Sequence, residues 1–257
     1  MNLKNKTAFI TGSSRGIGKS VALKLASLGA DIILHYRSNV KEAQNVEKEV
    51  QKLGVKVWKY AADLSDLEGV TPLIEEIKTQ HSKIDIFVSN AAATAFKPLS
   101  EIKPHHIQKT FNITISAFIM MMNALNPIMP QGAKVITVSG IDTKKYCVNH
   151  GLLAAAKASL EMLTRYYATE LNDQKIFVHG INPGLVDTDS MKVYWGSHYE
   201  AFKEEFARLN PMGGLMATKD VADMIAFLCS PAANWFNGET LFADGGMGFL
   251  MPVFSKS

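Results

Sequence analysis

The chain has 257 residues, 47% of them hydrophobic and 20% charged, with a formal net charge of +3. That composition suits a globular protein with a sizeable core. The small charge, without basic runs interleaved with aromatics, argues against a nucleic-acid partner. Two cysteines, Cys147 and Cys229, give neither a disulfide framework nor the CxxC spacing of a zinc site. A reduced, cytoplasmic setting is therefore expected. The N-terminal MNLKNKTAFITG holds too short an apolar run for a signal peptide. The apolar stretch around Ile113 to Met122 falls short of the ~18 residues of a membrane span and reads as a buried helix, so no membrane association is expected.

In chain order, Thr7–Thr11, Asp31–Leu34, Val55–Tyr60, Ile84–Val88, Lys134–Val138 and Ile176–Ile181 are short and rich in Val, Ile and Phe, and read as buried strands. Between them, Ile17–Leu28, Val40–Leu53, Leu67–Gln80, His105–Leu125 and Leu152–Leu171 carry helical spacing. In the first of these, Val21, Leu25 and Leu28 fall on one side. Repeated β–α alternation predicts an α/β fold: a doubly wound, Rossmann-type parallel sheet with helices on both faces. No linker, repeat or low-complexity segment interrupts it, so a single domain over 1–257 is expected.

The first strand runs into Thr11-Gly12-Ser13-Ser14-Arg15-Gly16-Ile17-Gly18. Gly12 allows a sharp turn, Gly16 lets the backbone approach a pyrophosphate, and Gly18 lets the new helix pack closely on the strand. The helix N-terminus then offers free N–H groups and a positive dipole end to phosphates. At the end of the second strand, Leu34-His35-Tyr36-Arg37-Ser38 lacks the carboxylate that would hold a ribose 2′-OH and repel a 2′-phosphate. Arg37 and Arg15 offer bidentate donors for that phosphate, and Ser38 a hydroxyl, which favours NADP(H) over NAD(H).

The GxxxGxG spacing resembles the short-chain dehydrogenase/reductase family, and the resemblance extends along nearly the whole chain. Asp63-Leu64 resembles the family's adenine-contacting position. Ser89-Asn90-Ala91-Ala92 resembles its NNAG motif with two departures, and Asn112 falls at its catalytic asparagine. Asn182-Pro183-Gly184 with Thr188 resembles the PG motif, whose loop holds the nicotinamide carboxamide, and Asp244-Gly245-Gly246 matches the C-terminal DGG. The resemblance implies cofactor contacts from Gly12, Ser14, Arg15, Gly16, Ile17, Gly18, Tyr36, Arg37, Ser38, Asp63, Leu64, Asn90, Ala91, Lys157, Pro183, Gly184, Val186 and Thr188. It further implies a homotetramer or homodimer, with the tail Met251-Pro252-Val253-Phe254 as a candidate to reach a neighbouring subunit.

The catalytic centre departs from the pattern. Lys157 matches the family lysine, but the position four before it is Leu153 rather than Tyr, and the serine position falls on Gly140, with Ser139 just before it. Enoyl-acyl-carrier-protein reductases of this superfamily place Tyr seven residues before the Lys. Here that position is His150, and imidazole is a side chain able to donate a proton. Asn149-His150-Gly151 and Leu163-Thr164-Arg165-Tyr166 resemble enoyl reductase III members, and 3-oxoacyl reductases are similar more generally. Tyr146 is the second candidate donor. The catalytic set is thus Lys157, Asn112, Ser139 and either His150 or Tyr146. The Tyr199–Lys203 pair also has YxxxK spacing, but lies in the wrong region. His105 and His106 lack companions at metal spacing and read as a solvated helix start; no metal is expected.

Between Thr188 and Gly213, Met191, Tyr194, Trp195, Tyr199, Phe202 and Phe206 fall where the family has a substrate lid, at about 188–213. With Phe96 and Ala93 to Ala95, they suit a hydrophobic acyl-thioester or polyketide-like small molecule. The expected activity is NADPH-dependent hydride transfer to a carbonyl or conjugated alkene. The alternative is an NADP(H)-binding protein whose redox function is altered or lost.

Overall fold

The computed structural model describes residues 1–249; the tail Met251-Pro252-Val253-Phe254 lies outside them. The described strands are β1 (Thr7–Ile10), β2 (Asp31–Tyr36), β3 (Val57–Ala61), β4 (Ile86–Ser89), β5 (Lys134–Val138), β6 (Phe177–Pro183) and β7 (Thr240–Ala243). They form one sheet in the order β3-β2-β1-β4-β5-β6-β7, every neighbouring pair parallel. The order reverses between β1 and β4, the switch point at which open parallel sheets bind ligands beyond their strand ends.

Helices cover both faces, because successive strand side chains point to opposite sides. Ala8 and Ile10 of β1 face α1 (Gly16–Ser27), α2 (Val40–Gln51) and α9 (Thr218–Leu228), where Val21, Leu25, Val46 and Ile225 are buried. Phe9 between them faces the other layer, formed by α3 (Leu67–Gln80), α5 (Ala117–Leu125) and α6 (Gly151–Glu170). There Phe9 stacks on Phe87, and Phe87 on Phe118, with ring centroids 5.3 and 6.0 Å apart. Such aromatic pairs add to the burial of their own area.

The predicted helix His105–Leu125 is α4 (Pro104–Phe111) and α5 joined by a π turn at Asn112–Ser116. The whole run, Pro104–Ile128, is long and apolar enough by length and composition to cross a membrane. The sequence reading took only Ile113 to Met122 as its apolar part. The α5 side chains Phe118, Met121, Met122 and Leu125 are buried against the sheet.

Three helices and one strand were not read from the sequence. Strand β7 is short and half-exposed at the sheet edge, so it lacks the buried apolar run that marks the other strands. Helices α7 (Asp189–Trp195) and α8 (Tyr199–Leu209) occupy the segment expected to cover the substrate, and α9 packs on α1.

Candidate active site

The phosphate loop is shaped by its glycines. Gly16 has φ +56, which favours glycine, and a β-carbon there would meet nothing within 4 Å, so the backbone faces open space. A β-carbon on Gly18 would lie 2.3 Å from the Gly12 carbonyl oxygen, so only glycine lets α1 start this close to the loop. Asn90 Nδ2 donates to the carbonyls of Thr11 and Gly12 at 3.0 and 3.2 Å, tying the end of β4 to the loop.

A cleft of about 590 Å³ opens over the switch point. Its walls include Gly12, Ser14, Arg15, Gly16, Ile17, Tyr36, Arg37, Ser38, Asp63, Leu64, Asn90, Ala91, Ser139, Lys157 and Thr188, all named from the sequence. The remaining named positions lie elsewhere. Gly18 is buried behind the loop, and Gly184 lines a second cavity with Leu185, Met212 and Met224. Val186 is buried and bridges to Met216, while Pro183 ends β6. An open glycine backbone, Arg15 in the glycine loop, Arg37 just after β2 and a lysine in the same cleft fit a dinucleotide carrying an extra phosphate.

The sequence reading passed over His35. It is buried; the Gly12 N–H donates to Nδ1 at 3.1 Å, and Nε2 lies 3.1 Å from the Ala62 carbonyl. A carbonyl only accepts, so Nε2 carries the proton and the imidazole is neutral. Burial lowers its pKa to about 4. The signal for this role was its place at the end of β2, beside the glycine loop.

Lys157 is buried on α6, and its Nζ donates to the Val138 carbonyl at 2.6 Å. Burial pulls its pKa down to about 8, opposed by the nearby charges of Asp142 and Glu161. Asn112 sits at the start of the π turn, a helix irregularity frequent at functional sites. Its Nδ2 donates to the Ser65 carbonyl at 2.9 Å. Ser139 lines the cleft, and its hydroxyl donates to Glu161 Oε1 at 2.5 Å. Glu161 also accepts from Thr143 Oγ1 and Asn182 Nδ2, each at 2.9 Å. A buried carboxylate with three donors is well satisfied.

The two candidate donors differ sharply. Tyr146 is 90% exposed. His150 is partly buried, its Nδ1 lies 3.2 Å from Asp142 Oδ2, and its Nε2 is buried with no hydrogen-bond partner. Aromatic rings surround it. Phe96 lies 4.9 Å away, and Tyr194 meets it edge to face at 4.7 Å. The aromatic contacts continue from Tyr194 to Trp195, which stacks on Phe202 at 4.0 Å, and from there to Phe206. Most of the expected substrate-side aromatics are thus in one connected set.

The YxxxK spacing at Tyr199 and Lys203 serves a different purpose. Tyr199 Oη donates to Asp187 Oδ1 at 2.6 Å and Lys203 Nζ to Asp187 Oδ2 at 3.5 Å, pinning α8 to the segment after β6. Desolvation raises the Tyr199 pKa, and the Asp187 carboxylate raises it further. His106 Nδ1 accepts from the Lys103 N–H at the exposed start of α4. Among the described residues, no group of three metal-ligating side chains occurs.

Comparison with known proteins agrees with this fold. Residues 12–248 match the family profile described as enoyl-(acyl carrier protein) reductase. The 1-cyclohexenylcarbonyl-CoA reductase of Streptomyces collinus is 31% identical over 260 residues, covering 98% of this chain and 90% of that protein. A short-chain dehydrogenase from Burkholderia cenocepacia, solved with NADP, superposes with a TM-score of 0.87 at 29% identity, covering 96% and 99% of the two chains. L-Sorbose reductase from Gluconobacter frateurii, solved with NADPH and L-sorbose, gives a TM-score of 0.89 at 28% identity over 98% and 99%. With its parallel sheet, its glycine loop at the switch point and a buried lysine on the sixth helix, the chain belongs to the short-chain dehydrogenase/reductase family.

Proposed function

We propose that this protein is an NADPH-dependent reductase that saturates the conjugated alkene of a hydrophobic acyl thioester, with His150 as the proton donor. The observation that carries it is the buried, unpartnered Nε2 of His150, seven residues before Lys157. A buried polar atom without a partner costs on the order of 1–3 kcal/mol, which a hydrogen bond to bound substrate would offset.

Arg15, Arg37 and Ser38 would hold the 2′-phosphate, and Lys157 would hold the nicotinamide ribose. NADPH supplies the hydride. As the β-carbon gains that hydride, the alkene electron pair moves toward the thioester carbonyl. The imidazolium of His150 then gives its Nε2 proton to the α-carbon and keeps the N–H electron pair. Phe96 and Tyr194 exclude water from this proton. The seven-residue spacing and the CoA-linked activity in the name of the Streptomyces relative favour an alkene over a ketone. Leu153 and Gly140, at the positions of the family's Tyr and Ser, favour the second reading, a cofactor-binding protein without redox turnover.

The test is NADPH oxidation against matched panels of 2-enoyl and 3-oxoacyl thioesters. We expect oxidation with the enoyl panel, lost by about 100-fold or more in kcat in His150→Gln, the usual contribution of a general acid. NADPH affinity should be unchanged in that variant. Binding of NADPH with no oxidation on either panel would select the second reading.

A further inference from the structure

The family's serine is absent at Gly140, and the space it would take is filled. A β-carbon built on Gly140 would lie 2.8 Å from Asp142 Oδ1, closer than real β-carbons approach. The other oxygen of the same carboxylate lies 3.2 Å from His150 Nδ1. The side chain of Asp142 is only 6% exposed, and Oδ1 has no hydrogen-bond partner among the described residues. The glycine, the carboxylate and the imidazole therefore form one set: with any larger residue at 140, the Asp142 carboxylate that meets His150 would have to shift.

The loop that carries Asp142 is held from beneath. Glu161 Oε1 accepts from Ser139 Oγ at 2.5 Å and from Thr143 Oγ1 at 2.9 Å, on either side of Asp142. Asn182 Nδ2 donates to the Gly140 carbonyl at 2.8 Å. Two side chains from α6 and β6 thus fix a short helical turn, Ile141–Thr143, whose middle residue is Asp142. A carboxylate so anchored can orient a ring.

We propose that Asp142 is the positioning carboxylate of the reacting imidazole, an Asp–His pair that takes over the place of the family's serine and tyrosine. The role in turnover rests on His150 being the proton donor. A carboxylate only accepts, so it keeps a proton on Nδ1 and leaves Nε2 as the atom that exchanges protons with substrate. When Nε2 is protonated the ring is a cation facing an anion, so the charged donor form is balanced inside an aromatic pocket. A serine hydroxyl at 140 would supply neither the charge nor the choice of tautomer.

The test reads the ring itself. The full chain is labelled with 15N-histidine, and long-range proton–nitrogen spectra are recorded at mildly alkaline pH, with His150 assigned through His150→Gln. We expect Nδ1 to carry the proton in the wild type. In Asp142→Asn, whose amide donates where the carboxylate accepted, the proton should move to Nε2. In Asp142→Ala the two tautomers should mix, which guards against misfolding of one variant, and NADPH-binding fluorescence checks the fold of both. On an active thioester, Asp142→Asn should lose about 100-fold or more in kcat with NADPH affinity retained. A wild-type Nε2–H tautomer, or a tautomer indifferent to residue 142, overturns the proposal. A flipped tautomer with full turnover overturns the proton role of His150 and the catalytic role of Asp142 together. A tautomer that follows residue 142 in a protein that oxidises NADPH with no thioester upholds the pair and rejects the reductase activity.

Discussion

The Tyr194 ring stands edge-on to the His150 imidazole, with centroids 4.7 Å apart and planes at 87°, and its hydroxyl donates to the Val148 carbonyl at 2.7 Å. Helix α7 is thereby tied to the loop that carries the proposed proton donor. Tyr194→Phe keeps the ring and removes only the hydrogen bond, worth about 1 kcal/mol. We expect faster amide exchange over 189–195 and a fall in kcat/KM of roughly five-fold, in line with that energy. Unchanged exchange in this segment would show that the bond does not hold α7.

Restoring the family's serine should harm this protein. Gly140→Ser places a β-carbon 2.8 Å from Asp142 Oδ1, so Asp142 or its loop must move. Overpacking of this kind costs typically about 1–3 kcal/mol. Thermal melting should show lowered stability in Gly140→Ser, with much of it recovered in Gly140→Ser combined with Asp142→Gly. Equal melting of Gly140→Ser and the wild type would contradict the clash.

Lys157 gives a pH signature. Its folded pKa of about 8 lies below its ordinary value of 10.5, because burial disfavours the cation. Between these values the unfolded chain binds a proton that the folded chain does not, so the lysine's contribution to stability rises with pH across that window. Below it, the folded protein carries the full cost of a buried cation, on the order of a few kcal/mol. Lys157→Met removes this pH-dependent cost. Its Tm relative to wild type should therefore be highest at neutral pH and decline as pH climbs past about 8. A difference that stays flat over the window would mean that the lysine keeps its ordinary titration.

The proposed 2′-phosphate contact at Arg37 predicts a change of cofactor preference. Arg37→Asp removes a guanidinium and adds the carboxylate that holds a ribose 2′-OH. NADPH affinity, read by fluorescence titration, should weaken by about 10- to 100-fold, the range of a charge-assisted contact, while NADH affinity rises. Equal affinities for NADPH in variant and wild type would place the 2′-phosphate elsewhere.

Much of the cofactor half of this protein was legible in its sequence. The alternation of β-branched runs with amphipathic helices fixes an α/β sheet, because a strand buried on both faces has few other compositions. The spacing of Gly12, Gly16 and Gly18 marks the loop, because only glycine adopts φ +56 freely at Gly16 and only glycine allows the 2.3 Å approach at Gly18. Strand β7 and helices α7 to α9 were less visible, since a half-exposed edge strand and short amphipathic helices owe their form to what they pack on.

The sequence by itself determined that a lysine stands on the helix after the fifth strand, that Tyr and Ser are missing from their usual places, and that His150 and Tyr146 are the candidates near enough in the chain to replace them. Only the tertiary structure shows how differently those two are placed. It leaves Tyr146 90% exposed, turns Ser139 into a ligand of Glu161, and brings Asp142, eight residues away in the chain, to His150. No spacing rule encodes that last contact. It exists because Glu161 and Asn182, from two other elements, hold the 139–143 turn so that its carboxylate faces the ring. Burial and hydrogen-bond satisfaction are properties of the assembled chain, and they determine which nitrogen of the imidazole is left without a partner.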